Sequence, residues 1–165
     1  EYLWKLCGLV GRLPVLLRKI AASHAALGNF EAACRFAVEW ADSYPHDALA
    51  HNFVSHYQEK CGRLGEARAA ADRALAANPY NHNALCRAGR LRMHEDPLRA
   101  AADLERAAGL WPSSFEPNFH AGKCKANLGE LEAALSYATR AVELKPDHPG
   151  AQKYLKALQN RRNAS

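Results

Sequence analysis

A proline period constrains this chain more than any other feature. Pro45, Pro79, Pro112 and Pro146 lie 34, 33 and 34 residues apart. Each follows an alanine-rich stretch, and each is followed within three residues by a new one. Self-similarity at a fixed period of about 20–50 residues signals a stack of small units, none of which buries its own apolar face alone. Proline cannot continue a helix, so it separates one unit from the next.

Other positions keep the same phase. A glycine-bearing turn recurs as Gly28-Asn29-Phe30, Gly62-Arg63-Leu64 and Gly129-Glu130-Leu131. Glycine just past a helix end adopts the left-handed conformation without steric cost. Three residues after each apolar turn residue comes Ala33, Ala67 or Ala134, and twelve residues before those lie Ala21, Ser55 and Gly122. Small residues at two facing positions let the antiparallel helices of a unit approach closely, and the apolar turn residue is expected to cap their contact. Ala74 and Ala141 repeat seven residues further on, where the first unit carries Trp40 instead. The third unit fits with Gly89, Ala100 and Ala107, but its turn, Asp96-Pro97-Leu98, is one residue short. Composition agrees: alanine makes up roughly one residue in five, far above the usual share, and it is the strongest helix former.

This pattern of small, Gly, Ala and Pro positions resembles the tetratricopeptide repeat over residues 14–148. The large aromatic expected early in each first helix is replaced by Leu17, His51, Leu85 and Asn118. The resemblance implies an all-α fold, a right-handed α-α superhelix of about four repeats with a C-terminal capping helix. The expected division is repeat 1 over 14–47, repeat 2 over 48–81, repeat 3 over 82–114, repeat 4 over 115–148 and a cap over 149–165. Residues 1–13, with Leu3, Leu6 and Leu9 in the register of a second helix, read as the back half of a truncated preceding repeat. A juxtamembrane or linker helix is the competing reading of that segment.

The family resemblance also implies where a partner binds. First helices line a concave face, and their groove positions recur three and four residues apart. Carried onto this chain, the lining is Arg18, Asn52, His56, Asn83, Arg87, Arg90, Phe119 and Lys123, with Val15, Leu49 and Lys153 at further positions. Arg and Lys present donors only, and Asn presents both donors and acceptors. Such a face suits the carboxylates and backbone amides of an extended acidic segment or a C-terminal carboxylate. The carboxylate clamp by which some family members hold acidic chaperone tails needs a set of Lys, Asn and Arg that no three successive units supply here. A second reading is self-association, a dimer or end-to-end assembly within a larger enzyme or membrane-anchored protein, driven by Trp4, Leu6 and Leu9.

Catalysis is not expected. There is no G-x-S-x-G, no phosphate-cradling G-x-x-x-x-G-K-[ST] and no G-x-G-x-x-G. Glu31, Glu66, Glu130 and Glu132 follow turns at helix starts, where they complement the helix dipole. Eight histidines include no pair four apart on one helix, and His120 with Cys124 is a lone pair without further ligands. No cofactor or metal is therefore expected. Cys7, Cys34, Cys61, Cys86 and Cys124 are odd in number and form no C-x-x-C, which reads as small buried residues in a reducing compartment. With no signal peptide in this sequence, a cytoplasmic or cytoplasm-facing location is expected. Membrane contact would come from parts of a longer chain, or from Lys153, Lys156, Arg161 and Arg162 at an anionic surface. The net charge of +5 is spread along the chain rather than clustered, so nucleic acid is not the expected partner.

Overall fold

The alanine-rich stretches between the marker prolines form paired helices whose ends are set by short polar side chains and glycines. The structure, a computed structural model, describes residues 13–164. Its first helices are α1 (Leu13–Ala26), α3 (Ala48–Lys60), α5 (His82–Arg92) and α7 (Phe115–Asn127). The second helices are α2 (Phe30–Ser43), α4 (Leu64–Ala77), α6 (Pro97–Leu110) and α8 (Leu131–Leu144), and α9 (Pro149–Asn163) closes the series. The expected N-terminal helix, with Trp4, Leu6 and Leu9, lies outside the described residues.

Each helix boundary has a local cause. Gly28, Gly62 and Gly129 take φ of +76°, +77° and +81° after α1, α3 and α7, the left-handed conformation that ends a helix. The short third turn has no such glycine. There α5 ends at Arg92, and Asp96 caps α6 by accepting the Arg99 N–H at 3.0 Å, with Pro97 in the first turn. Asn29, Asp47, Asn81 and His148 cap α2, α3, α5 and α9 in the same way. The second helices all stop at the residue before a marker proline. Tyr44, Asn78, Trp111 and Lys145 share a φ of −137°, −143°, −132° and −137°. Proline disfavours the helical conformation in its predecessor, and this drives the chain out of the helix at the same phase every time.

The chain divides into two compact units, Glu1–Ala84 and Leu85–Ser165. In the first, α2 packs between α1 and α3, and α3 packs on α4. Its core runs from Leu17 and Ala21 through Ala33, Ala37 and Trp40 to Val54, Tyr57 and Ala70. Trp40, standing where the period calls for alanine, is 2% exposed. Its indole Nε1–H donates to Asp47 Oδ2 at 3.1 Å while Asp47 Oδ1 caps α3. Ser55, the small residue of the second repeat, is fully buried and donates to the Ala67 carbonyl of α4 at 2.7 Å. In the second unit, α7 packs on α6 and α8, and α9 packs on α8. Gly89 of α5 has no room for a Cβ, which would stand 2.5 Å from Leu104 Cγ and 3.0 Å from the Ala100 carbonyl. Buried Arg92 pairs with Asp103, tying α5 to α6. Lys125 of α7 reaches Glu105 of α6 and Glu130 at the N-cap of α8, both at 2.9 Å.

All four residues that replace the expected aromatic are buried. Two of them do something leucine cannot. His51 Nε2 lies 2.8 Å from the Pro45 carbonyl, and Asn118 Nδ2 donates to the Pro112 and Ser114 carbonyls at 3.4 and 2.7 Å. Gln152, at the matching position of α9, donates to the Pro146 carbonyl. A polar donor six residues after the marker proline thus closes the linker on itself. The apolar turn residues divide. Phe30 and Leu131 are half-buried against the cores, but Leu64 and Leu98 are exposed, so the contact-capping role expected of them holds at only two of four turns.

Candidate functional site

The candidate positions lie on two compact units and are described unit by unit. On the first unit, Arg18 of α1 is exposed and His56 of α3 is half-buried, with Val15 and Leu49 among the exposed apolar residues. Asn52 departs from the expected exposed lining. It is 5% exposed, because α3 is packed on both sides by α2 and α4, so a substitution there perturbs the interior as well as the face. Beside α2 lies a recess of about 490 Å³ that the repeat pattern gave no reason to expect, lined by Cys34, Arg35, Val38, Asp42 and the Glu31–Arg63 ion pair.

On α5, Asn83 is exposed and Arg87 and Arg90 are half-buried. Cys86 beside them is half-buried. Burial first, and then the nearby Glu116 carboxylate, push its thiol up to about 12, against the opposing pull of Arg87 and Arg90. It is therefore a protonated thiol rather than a nucleophile at neutral pH. Cys34 and Cys124 are buried as expected, while Cys61 is half-buried, and Cys7 lies outside the described residues. The Cys124 thiol donates to the Pro97 carbonyl at 3.1 Å, which occupies the member of the His120–Cys124 pair best suited to a metal. Among the described residues no three His, Cys, Asp or Glu side chains form a metal-holding group.

The second unit holds the most organised part of the face. Phe119 stacks on Phe115 at 5.3 Å between ring centroids, and Tyr154 of α9 meets it edge-on at 6.0 Å. The Tyr154 hydroxyl donates to the Gly122 carbonyl at 3.1 Å, which fixes the ring, and burial raises its pKa. His148 lies against Phe115 at 4.7 Å and Phe119 at 5.6 Å. Its Nδ1 accepts the Ala151 N–H, which leaves the ring proton on Nε2. The Lys123 ammonium stands 5.1 Å from the Phe119 ring centre, and Lys145 stands 4.6 Å from that of Phe115 while also pairing with Glu116 at 3.1 Å. A cation over a ring face is attracted by the ring quadrupole.

Phe119 and Lys123 stand at positions named from the repeat register. Phe115, Lys145, His148 and Tyr154, which gather around them, come from a helix start, two linker positions and the closing helix. The signal available for them was the linker phase: Lys145 and His148 flank Pro146. The unit thus presents an aromatic platform with cations above it.

Paired helices at a 34-residue period, each pair closed by a proline linker, define a helical-repeat protein. The tetratricopeptide repeat family matches residues 115–148. The match covers one repeat, and the chain as a whole has the all-α helical-repeat fold. Among solved structures, a crystal structure of MamA superposes with a TM-score of 0.81 at 15% identity, over 93% of this chain and 85% of that one. A MamA from Desulfovibrio magneticus RS-1 gives 0.82 at 21% identity, over 92% and 86%. YrrB, described as a TPR protein with an unusual peptide-binding site, gives 0.81 at 22% identity, over 99% and 84%. At these identities the likeness shows the fold. No curated protein matches the chain in sequence. No helix among the described residues is long and apolar enough to cross a membrane.

Proposed function

We propose that this chain is a non-catalytic scaffold for another protein, and that its first-helix faces take an extended acidic segment of that partner. The observation that carries this reading is Lys123. Its ammonium is held over Phe119, and no carboxylate among the described residues neutralises it. Arg87 and Arg90 stand on α5, the preceding first helix of the series. A face of one sign concentrates an oppositely charged partner, and charge-assisted hydrogen bonds to carboxylate are the strong ones. The peptide-binding site named for YrrB supports the class of ligand.

The test is titration of the chain with a fluorescent glutamate-rich peptide at low and high salt, beside the Arg87→Glu/Lys123→Glu variant. The expected result is salt-sensitive binding that the double reversal abolishes while far-UV circular dichroism stays unchanged. Binding that survives the reversal sinks the reading. Self-association through Trp4, Leu6 and Leu9 would instead give a mass that rises with concentration in sedimentation equilibrium.

A further inference from the structure

We propose that the recess beside α2 in the first unit is a second binding site, one that takes an arginine side chain of a partner protein between Glu39 and Asp42. It is lined mainly by a second helix and asks for the opposite charge, so it stands apart from the acidic-segment reading above.

At about 490 Å³ the recess is of ligand-binding size. Its main wall is one face of α2, where Glu31, Cys34, Val38 and Asp42 recur at helical spacing. Buried Cys34 and half-buried Val38 supply an apolar floor. Near the start of α2 the polar groups are already engaged: Arg63 pairs with Glu31 and donates to Gln58 Oε1 at 3.0 Å. Near the end of α2 they are not. Among the described residues neither Glu39 nor Asp42 has a hydrogen bond or an ion pair through its carboxylate.

Both carboxylates stand where a helix does not favour them. The C-terminal end of a helix carries partial negative charge, which favours cations and opposes anions, and the last turn of α2 holds no basic residue. The repeat shows what the site otherwise carries. Six residues before each later marker proline stand Arg73, Arg106 and Arg140, and the first repeat has Glu39 there instead. Three residues before the marker proline, Asp42 is matched in the fourth repeat by Glu143, which pairs with Arg140 at 3.0 Å. The first repeat thus keeps the acid of that pair and replaces its arginine by a second acid.

This arrangement selects the ligand. Side chains three apart on a helix have Cβ atoms about 5–6 Å apart, so Glu39 and Asp42 can share one planar guanidinium, whose forked donors reach two acceptors at once. The methylene stem of an arginine covers apolar surface while its head stays with the acids, which suits Val38 and Cys34 on the floor. Arg35 also lines the recess, one turn before Glu39, and forms an ion pair with neither acid. Two acids against one arginine leave this end negative. A metal ion suits it less, because a hard cation takes about six to eight oxygens and no three His, Cys, Asp or Glu side chains form a metal-holding group among the described residues.

The test is titration of the isotope-labelled whole chain with three peptides, Ala-Leu-Arg-Leu-Ala and the same sequence with lysine or uncharged citrulline in place of arginine, read by amide shifts in NMR at low salt. The arginine peptide is expected to shift the amides of Val38–Ser43 and to bind about tenfold tighter than the citrulline peptide, the size of one charge-assisted bond. The lysine peptide is expected to fall between them. Glu39→Arg, which restores the residue of the other repeats, should abolish these shifts without lowering the melting temperature, and Asp42→Asn should weaken binding severalfold. Equal binding of the arginine and citrulline peptides, shifts confined to other parts of the chain, no shift with any peptide, or binding that survives Glu39→Arg overturns the site. Binding lost in Glu39→Arg together with a lowered melting temperature makes the carboxylate a structural one and overturns it too. Lysine bound as tightly as arginine overturns the shared guanidinium.

Discussion

Asp47 sits where two jobs meet, so removing it should cost more than any ordinary cap. One oxygen accepts the Leu49 N–H at 2.9 Å and the Ala50 N–H at 3.4 Å, and the other accepts the Trp40 indole N–H at 3.1 Å. Replacing an N-cap by alanine costs about 0.5–2 kcal/mol. A hydrogen bond to a charged group contributes about 1.5–3 kcal/mol, and its loss leaves a donor unpaired on a side chain only 2% exposed. Asp47→Ala should therefore destabilise the first unit by about 2–4 kcal/mol, below a simple sum because neighbouring effects do not add. Asp47→Asn keeps a good cap and an acceptor, and should lose under ~1.5 kcal/mol. In a double-mutant cycle with Trp40→Phe, the coupling should be about 1–2 kcal/mol. Urea unfolding followed by circular dichroism gives the totals. Because repeat arrays unfold unit by unit, amide exchange at Tyr44–Ala50 should report the loss locally. Equal losses for Asp47→Ala and Asp47→Asn, or a coupling near zero, would refute the shared-carboxylate account.

Gly89→Ala should destabilise by about 1–3 kcal/mol through overpacking against Leu104 and the Ala100 carbonyl, measured by thermal melts. Gly122→Ala, whose Cβ would meet its nearest atoms at 3.3 Å, should be close to neutral because the gain in helix propensity of about 1 kcal/mol offsets the contact. Cys86, with its thiol pushed from 9.0 to about 12, should be alkylated at pH 8 about a thousandfold more slowly than the same cysteine in urea, followed by peptide mass spectrometry; equal rates would remove the burial argument. The Arg63 guanidinium holds the Glu31 carboxyl below its ordinary 4.5. A depressed carboxylate contributes stability above its unfolded value and loses it as pH falls through the folded value, so an NMR titration of Glu31 should move back up in Arg63→Gln.

The fold was legible because its signals are local and repeated. A proline every 34 residues sets each second-helix end through the residue before it, and Tyr44, Asn78, Trp111 and Lys145 respond alike. The facing small residues Ala21, Ser55, Gly89 and Gly122 are all buried, as a tight helix pair requires. The face was legible only in part. Register assigns positions such as Phe119 and Lys123 to a face but does not say how deeply a neighbouring helix covers each, and Asn52, on the same lining, is buried. Leu64 and Leu98 stand clear of the cores for a related reason: the turn pattern sets where they fall in sequence but not whether a partner helix reaches them. The aromatic platform escaped because Phe115, His148 and Tyr154 come together from three different segments of chain.

The linker bonds of His51, Asn118 and Gln152 have a further consequence. Each joins two groups only six residues apart, donor and acceptor on one short stretch. Any tandem copy of that stretch inherits both halves of the bond and needs nothing from the segment it lands beside. A lock built from the signature aromatic depends instead on the fit of whatever neighbour the copy meets. An array stitched by such self-contained clasps is one that can lengthen by duplication before its new interfaces have been refined.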